Sequence, residues 1–443
     1  MDALNILNDL IKKAQKAGAD SADALLVDST DLSVSLRLGE IESLERSESG
    51  DLGLRVFIGQ KQAVVSSTDR SAKALSELVE RAIAMAQLAP EDPFCGIAAT
   101  DEIAKGFPAL ESADDTELSA EQLIAQAREI ENAARAVKGI TNTESSGAGW
   151  GATRITLAAS NGFSGIHRRT GFSLSASVIA GEGTNMQRDY EYASRVFARD
   201  LPACAWVGQS AGTRAVARLN PRKMPTTRAS VFFDPRIAGG MIGAMLGAIS
   251  GSSIARGTSF LKDKLGQKVF PDSITISEDP HRARGLRSRA FDAEGLLPQK
   301  RKLIDAGILT TWLLDLRSAR QLNMRSTGHA ARSAGGAPSP SASNVYLEAG
   351  KLSPQELMQD VEHGFYVTET MGSGINGVTG DYSQAASGFW IEKGKIAFPV
   401  SEMTIAGNLK DMFLHLSAAN DLEFLRGIDA PTLRIDGMTI AGM

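Results

Sequence analysis

Hydrolytic chemistry needs a nucleophile, a base and groups that stabilise developing charge, so the histidines, cysteines and serine-glycine patterns are where function can be sought first. The histidines are His167, His281, His329, His363 and His415, and no two lie three to five residues apart. There is no HExxH or HExxxH pattern, and neither Cys95 nor Cys204 accompanies a histidine, which excludes a zinc site built on one helix. Each histidine therefore reads as structural or superficial. One nucleophile pattern, Gly208-Gln209-Ser210-Ala211-Gly212, matches GxSxG, whose chemistry requires a strand running into a sharp turn. Its surroundings, LPACAWVGQSAGTRAVARL, read as helix on both sides, and no HGGG-type oxyanion loop precedes them. A hydrolase acting through Ser210 is the lesser reading. The glycine-rich stretch 371–383 lacks the GKS or GKT ending of a P-loop and does not lead into a helix. It reads as a loop whose backbone lies close to a ligand or to another strand.

The segment 239–259, GGMIGAMLGAISGSSIARGTS, holds no carboxylate and no histidine. Its uncharged run, from Ile237 to Ala255, is closed by Arg236 and Arg256; it is barely as long as a bilayer span and, rich in Gly, Ser and Ala, much too weakly hydrophobic to be one. Asp234 as N-cap and Pro235 as first helical residue predict a helix instead. Along it Gly239, Gly243, Gly247 and Gly251 recur at every fourth position, with Gly240, Ala244, Ala248 and Ser252 as a parallel small ridge. An interior glycine costs about 1 kcal/mol relative to alanine, so something must approach that backbone closely. Tight packing inside the subunit and a partner or extended peptide on the ridge are equally good accounts.

The elements that must position these residues follow from composition and periodicity. The chain has 443 residues, is 43% hydrophobic and 22% charged, and has the capacity for two or three cores. A net charge of −5 gives no general attraction to nucleic acid or anionic lipid. The basic cluster His281, Arg282, Arg284, Arg287, Arg289 and Lys300, Arg301, Lys302 is interrupted by acidic and apolar residues and reads as a solvated strand edge. Two cysteines without CxxC spacing, and an amphipathic rather than signal-like start, lead us to expect a cytoplasmic protein.

Alternation in LSVSLRL, LGLRVFI and QAVVSS predicts an antiparallel meander between an N-terminal helix and a helix over 71–88. A second block opens with a Ser119/Gln122 capping box, continues through strands at 155–159 and 171–180, and ends in a helix over 202–219. Beyond NPRKMPTT, apart from the glycine-ridged helix and a short one over 354–362, the pattern is hairpin after hairpin: KLIDAGILTTWLLD, FWIEKGKIAFPV and LRIDGMTIAG each place Gly between apolar runs. The expected fold class is α+β. Residues 1–225 form an N-terminal α/β two-layer region of antiparallel sheets and helices, with sub-blocks 1–105 and 106–225. Residues 226–443 form a β-rich domain with a curled or barrel-like sheet.

Several long motifs resemble the TldD/PmbA family, once called modulators of DNA gyrase, and they stand in that family's order. These are RGTSF with LGQKV after it, LIDAGILTTWLLDLRSAR, SNVYLEAG, GVTGDYSQAASGFWIEKGKIAFPVSEMTIAGNL and APTLRIDGMTIAG. The resemblance implies a cytoplasmic metallopeptidase of two homologous subunits. In the TldD-like subunit a zinc-binding HExxxH helix and a cysteine near the C-terminus hold the metal; the PmbA-like subunit, also called TldE, has neither. Counted back from the shared RGTS, the histidine positions fall near Ile242 and Gly247 and the glutamate near Gly243, and no cysteine follows Cys204. The chain thus resembles the PmbA/TldE subunit. The resemblance implies no cofactor in this chain, zinc in a TldD-like partner and an unfolded peptide as substrate, with a homodimer left open as the state of the chain when the partner is missing. A gyrase-modulating binding protein, suggested by the old family name, is the other lesser reading, and the acidic balance stands against it; nucleic acid and membrane are not expected as partners. Positions expected to touch peptide or partner are Gly239, Gly243, Gly247 and Gly251, then Arg256, Thr258 and Ser259, and the loop bounded by Gly374 and Asp381.

Overall fold

The computed structural model describes residues 2–372 and 374–442. Two α-β-β-β-α units share one sheet. The first consists of α1 (Ala3–Lys16), β1 (Ser21–Arg37), β2 (Glu40–Ile58), β3 (Lys61–Ser67) and α2 (Ala72–Leu88). The second repeats the order with α3 (Ala120–Arg135), β4 (Ile140–Ala159), β5 (Ser164–Ala180), β6 (Gln187–Arg195) and α4 (Cys204–Ala217). Each is an antiparallel meander, and β1 pairs with β4 to join them in the order β3-β2-β1-β4-β5-β6.

Strand parity sets the layers. On β1, Ala22, Ala24 and Leu26 pack with α1 and α2, while Leu32, Val34 and Leu36 pack with α3 and α4. All six are even-numbered, so one face carries all the helices. Odd-numbered Leu25, with Leu157, turns to the other face and packs on Phe291 from the C-terminal half. Helix α3 starts at the expected Ser119/Gln122 capping box. The strands of the second unit are much longer than the alternation indicated, and β6 was not foreseen, because small residues such as Gly147, Gly149 and Gly151 blur the pattern.

The C-terminal half contains β7 (Thr227–Phe233), α5 (Pro235–Ala248), α6 (Gly251–Ala255), β8 (Ile276–Glu278), β9 (Arg301–Asp305), β10 (Ile308–Leu309), α7 (Leu316–Gln321), β11 (Ala330–Ala331), β12 (Ser339–Pro340), β13 (Val345–Leu347), α8 (Pro354–Met358), β14 (His363–Met371), β15 (Asp381–Glu392), β16 (Lys395–Asn408), α9 (Leu409–Leu414), β17 (Leu416–Ala418), β18 (Ile428–Asp429) and β19 (Leu433–Ala441). Strands β16-β15-β14-β7-β19 form a closed five-stranded barrel, since β19 also pairs with β16. Closure removes the sheet edges that would otherwise invite further pairing. The α+β class and the curled sheet expected from the hairpins are therefore both present. A second sheet, β10-β9-β8-β13-β18, shares the barrel's core: Ile276, Leu303 and Val345 bury with Phe365, Trp390 and Ile405.

Three local expectations are corrected. LRIDGMTIAG is one strand with a bulge at Asp436 and Gly437, where Gly437 has φ 77°, and not a hairpin. The helix expected over 354–362 stops at Met358. The basic cluster is not one solvated edge: Lys300 and Lys302 are exposed at β9, but residues 281–289 lie in turns whose arginines are tied back to the chain. Arg284 pairs with Glu111 and Asp200, and Arg287 and Arg289 donate to the Ala342 and Ser341 carbonyls. Among the described residues no helix is long and apolar enough to cross a membrane.

Candidate functional site

Strand β7 leads directly into α5. The Asp234 carboxylate accepts from the Arg236 amide, with Pro235 at the first helical position, as the local signals required. The Tyr366 hydroxyl on β14 donates to the same carboxylate over 3.2 Å, fixing the helix start to the barrel. Ala238, Met241, Ile242, Met245, Leu246 and Ala248 are buried and orient the helix. The opposite side carries Gly240, Gly243 and Gly247, and a Cβ at any of them would meet nothing within 4 Å.

The glycine ridge does not run on one helix. Ser250 is extended and pairs with Leu313, ending α5, and the Gly251 amide donates to the Leu313 carbonyl over 2.8 Å. A Cβ on Gly251 would stand 2.6 Å from Leu314 and from Ser318, and one on Gly239 would stand 2.7 Å from the Ile428 carbonyl oxygen. The outer two glycines are thus explained by packing within the chain, and the inner two are not.

The segment after α6 and the 374–381 loop, far apart in sequence, meet at the C-terminal end of α5. The Phe260 amide donates to the Gly377 carbonyl over 3.0 Å. Ser259 is buried; its hydroxyl donates to the Ala248 carbonyl at 2.6 Å and accepts from the Leu261 amide, tying this segment to the end of α5. Arg256 and Thr258 are exposed. Gly374 is required by close approach, since a Cβ would lie 1.5 Å from the Ser383 carbonyl oxygen on β15. Asp381 accepts from the Thr379 hydroxyl at 2.6 Å and from the Asn408 amide at 3.0 Å, bonds that hold its carboxyl below the usual range. Ser373, within the stretch 371–383, lies outside the described residues.

The donor set here does not fit zinc. The positions matched to the metal-binding helix hold Ile242, which is buried, and Gly243 and Gly247, which have no side chain to offer. Among the described residues no three His, Cys, Asp or Glu side chains are gathered where they could hold a metal ion. His329 is engaged elsewhere: its Nε2 is 2.7 Å from Glu278 and its Nδ1 2.7 Å from Thr327. The GxSxG pattern has a structural explanation. Ser210 is inside α4 and donates to Glu191 at 3.1 Å. Gly208 lets α4 lie on α3, because a Cβ there would come 2.1 Å from the Ile130 carbonyl oxygen. No strand-to-turn elbow is present, so the requirement for an exposed serine nucleophile fails.

A cleft of about 350 Å³ opens at the N-terminal end of α5, lined by Tyr192, Trp206, Arg236, Tyr366, Leu425 and Arg426. Trp206 is 50% exposed, a large apolar surface for a lone tryptophan. Sequence reading missed this cleft because its walls come from β6, α4 and the 421–430 segment; an exposed tryptophan inside a helical pattern was the one available signal.

Models of three consecutive PmbA/TldA metallopeptidase domains match this chain: domain 1 over residues 22–86, the central domain over 113–219 and the C-terminal domain over 226–442. Metalloprotease PmbA of Escherichia coli O157:H7 is 39% identical over 426 residues, covering 96% of this chain and 93% of that protein. The PmbA homolog of Haemophilus influenzae is 39% identical over 437 residues, covering 98% and 94%. The crystal structure of a candidate modulator of DNA gyrase from Bacteroides thetaiotaomicron superposes with a TM-score of 0.91 at 27% identity over 99% of both chains. TldE of Thermococcus kodakarensis shares the fold, with a TM-score of 0.87 at 20% identity over 98% of this chain and 99% of that one. Matches that run through all three domains and nearly the full length of the bacterial relatives establish that the chain belongs to the PmbA/TldD metallopeptidase family.

Proposed function

We propose that this chain is a non-catalytic, TldE-like subunit of a heteromeric zinc metallopeptidase that degrades unfolded peptides in the cytoplasm. The observation that carries the reading is helix α5: its Gly240, Gly243 and Gly247 side is open, and its equivalents of the metal ligands and the general base are Ile242, Gly243 and Gly247. Zinc hydrolysis needs ligands, an open coordination position and a base. A TldD-like partner supplies them, and this chain contributes a wall of the peptide chamber. The side-chain-free stretch of α5 allows an extended backbone to approach within contact distance, and Arg256, Thr258 and the 374–381 loop border its far end. An extended peptide that pairs with a sheet edge of the chamber through backbone hydrogen bonds gains affinity with little sequence preference.

The test is zinc content and degradation of an unfolded peptide, measured for this chain alone and for an equimolar mixture with the TldD-like protein of the same cell. Both are expected only in the mixture. Stoichiometric zinc or peptide cleavage in the isolated chain overturns the reading.

A further inference from the structure

Away from α5, a cavity of about 410 Å³ lies between the odd-numbered face of the large sheet and the turns of residues 286–293, 330–332 and 341–342. Its size is that of a small-molecule site. One side is apolar, built from Leu25, Val27, Ile155, Leu157 and Phe291. Four arginines also border it, Arg169 from β5 of the sheet and Arg287, Arg289 and Arg332 from the turns.

The four arginines outnumber the acids of the wall. The Arg332 side chain is 1% exposed and pairs with Asp23 at 2.6 Å, and Arg55 forks onto the other oxygen of that carboxylate, so one carboxylate serves two buried guanidinium groups. Arg289 uses one nitrogen on the Ser341 carbonyl and leaves its buried Nε without a partner. His167 is 8% exposed and its Nε2 also lacks a partner. Asp292 is the single carboxylate on the wall. Its oxygens already accept from the amides of Glu294, Leu296 and Ala330, and burial pushes its pKa up, toward the neutral form. Buried donors left without acceptors cost free energy that a bound acceptor returns. A planar carboxylate matches the guanidinium fork in two-point contact.

We propose that this pocket binds an organic carboxylate carrying an apolar group, the carboxylate on the arginines and the apolar part against Leu25, Leu157 and Phe291. Arg169 and Leu286 also border a second cavity of about 490 Å³, which gives a longer ligand room to continue. The site is formed by this chain alone and does not depend on the metallopeptidase reading.

The full chain is titrated calorimetrically with 4-methylpentanoate, leucyl-leucine and the C-terminal amide of leucyl-leucine. Both acids bind at millimolar concentration or below, and the amide binds at least about 10-fold more weakly. Tighter binding of leucyl-leucine identifies a peptide C-terminus as the ligand source, and tighter binding of 4-methylpentanoate identifies a free acid. Arg289→Gln, and separately the exposed Arg169→Gln, weaken binding by about 10- to 100-fold each, the loss expected for one charge-assisted contact. The proposal is overturned if neither acid binds a folded chain, if amide and acid bind equally, or if Arg169→Gln leaves affinity unchanged.

Discussion

Glu278 is a carboxylate with almost no access to water. It lies on β8, 1% exposed, and accepts from the Ser343 amide at 2.6 Å and hydroxyl at 2.8 Å while pairing with His329. Burial pushes its pKa up, but the His329 hydrogen bond and charge, with the Ser343 bonds, outweigh burial and hold it down at about 2. A carboxyl depressed in the folded state adds stability above its unfolded pKa, here near 4.5, and loses it as pH falls toward 2. The contribution is on the order of a few kcal/mol above pH 4.5 and falls away between there and pH 2. Urea unfolding of Glu278→Gln and the parent at neutral pH and at about pH 3 checks this: the gap between them is expected to narrow on acidification, and a constant gap rejects the account. Neither residue announced this pairing in the sequence, since β8 and the 327–343 segment meet only through the C-terminal fold. What was legible was weaker: the histidines lacked ligand spacing, and His329 is indeed spent on structure.

At the scale of the element, the same substitution is expected to have opposite signs at different glycines. A Cβ on Gly243 of α5 meets nothing, so Gly243→Ala removes only backbone freedom from the unfolded chain and should stabilise the isolated protein by about 1 kcal/mol. On α4 a Cβ at Gly208 collides with the α3 backbone, so Gly208→Ala should destabilise by about 1 to 3 kcal/mol. Thermal melts of the two variants decide it. If α5 lines the shared chamber, Gly243→Ala also slows degradation of an unfolded peptide by the mixture with a TldD-like partner despite the gain in stability, a combination that packing within one chain does not produce. The sequence made the glycines and the Asp234-Pro235 start visible because those signals are local. The division of the ridge was hidden because it depends on Ile428, Leu313 and Ser318, which the chain brings to α5 from elsewhere. The join of the 374–381 loop to Phe260 was hidden for the same reason.

At the scale of the molecule, hairpin signals carried the barrel, since β15 and β16 are sequence neighbours with a turn at Lys393 and Gly394. Its closure rests on parallel pairing of β7 with β14 and on pairing of β16 with β19, which no local pattern encodes. The doubled α-β-β-β-α unit escaped notice because the two copies share parity and order rather than residues. The two halves are then locked by charge. Asp189 on β6, 2% exposed, accepts from Arg236 at 2.9 Å and from Arg218 at 3.2 Å, and Arg218 reaches on to Glu369 of the barrel at 2.6 Å. Removing one member of such a set leaves the others desolvated without a counter-charge, at a cost of about 3 to 5 kcal/mol, whereas an exposed pair contributes at most about 1 kcal/mol. Asp189→Asn is therefore expected to destabilise severely, while Asp360→Asn is expected to cost at most about 1 kcal/mol, because its carboxylate is exposed and Arg434 keeps Asp436 and the Leu357 carbonyl as partners. Adding Arg236→Met to Asp189→Asn should recover part of the loss, because the guanidinium left unpaired is removed with it. A double-mutant cycle in which the two losses simply add would show that Asp189 and Arg236 do not couple, and the joint between sheet and barrel would then rest on apolar packing alone.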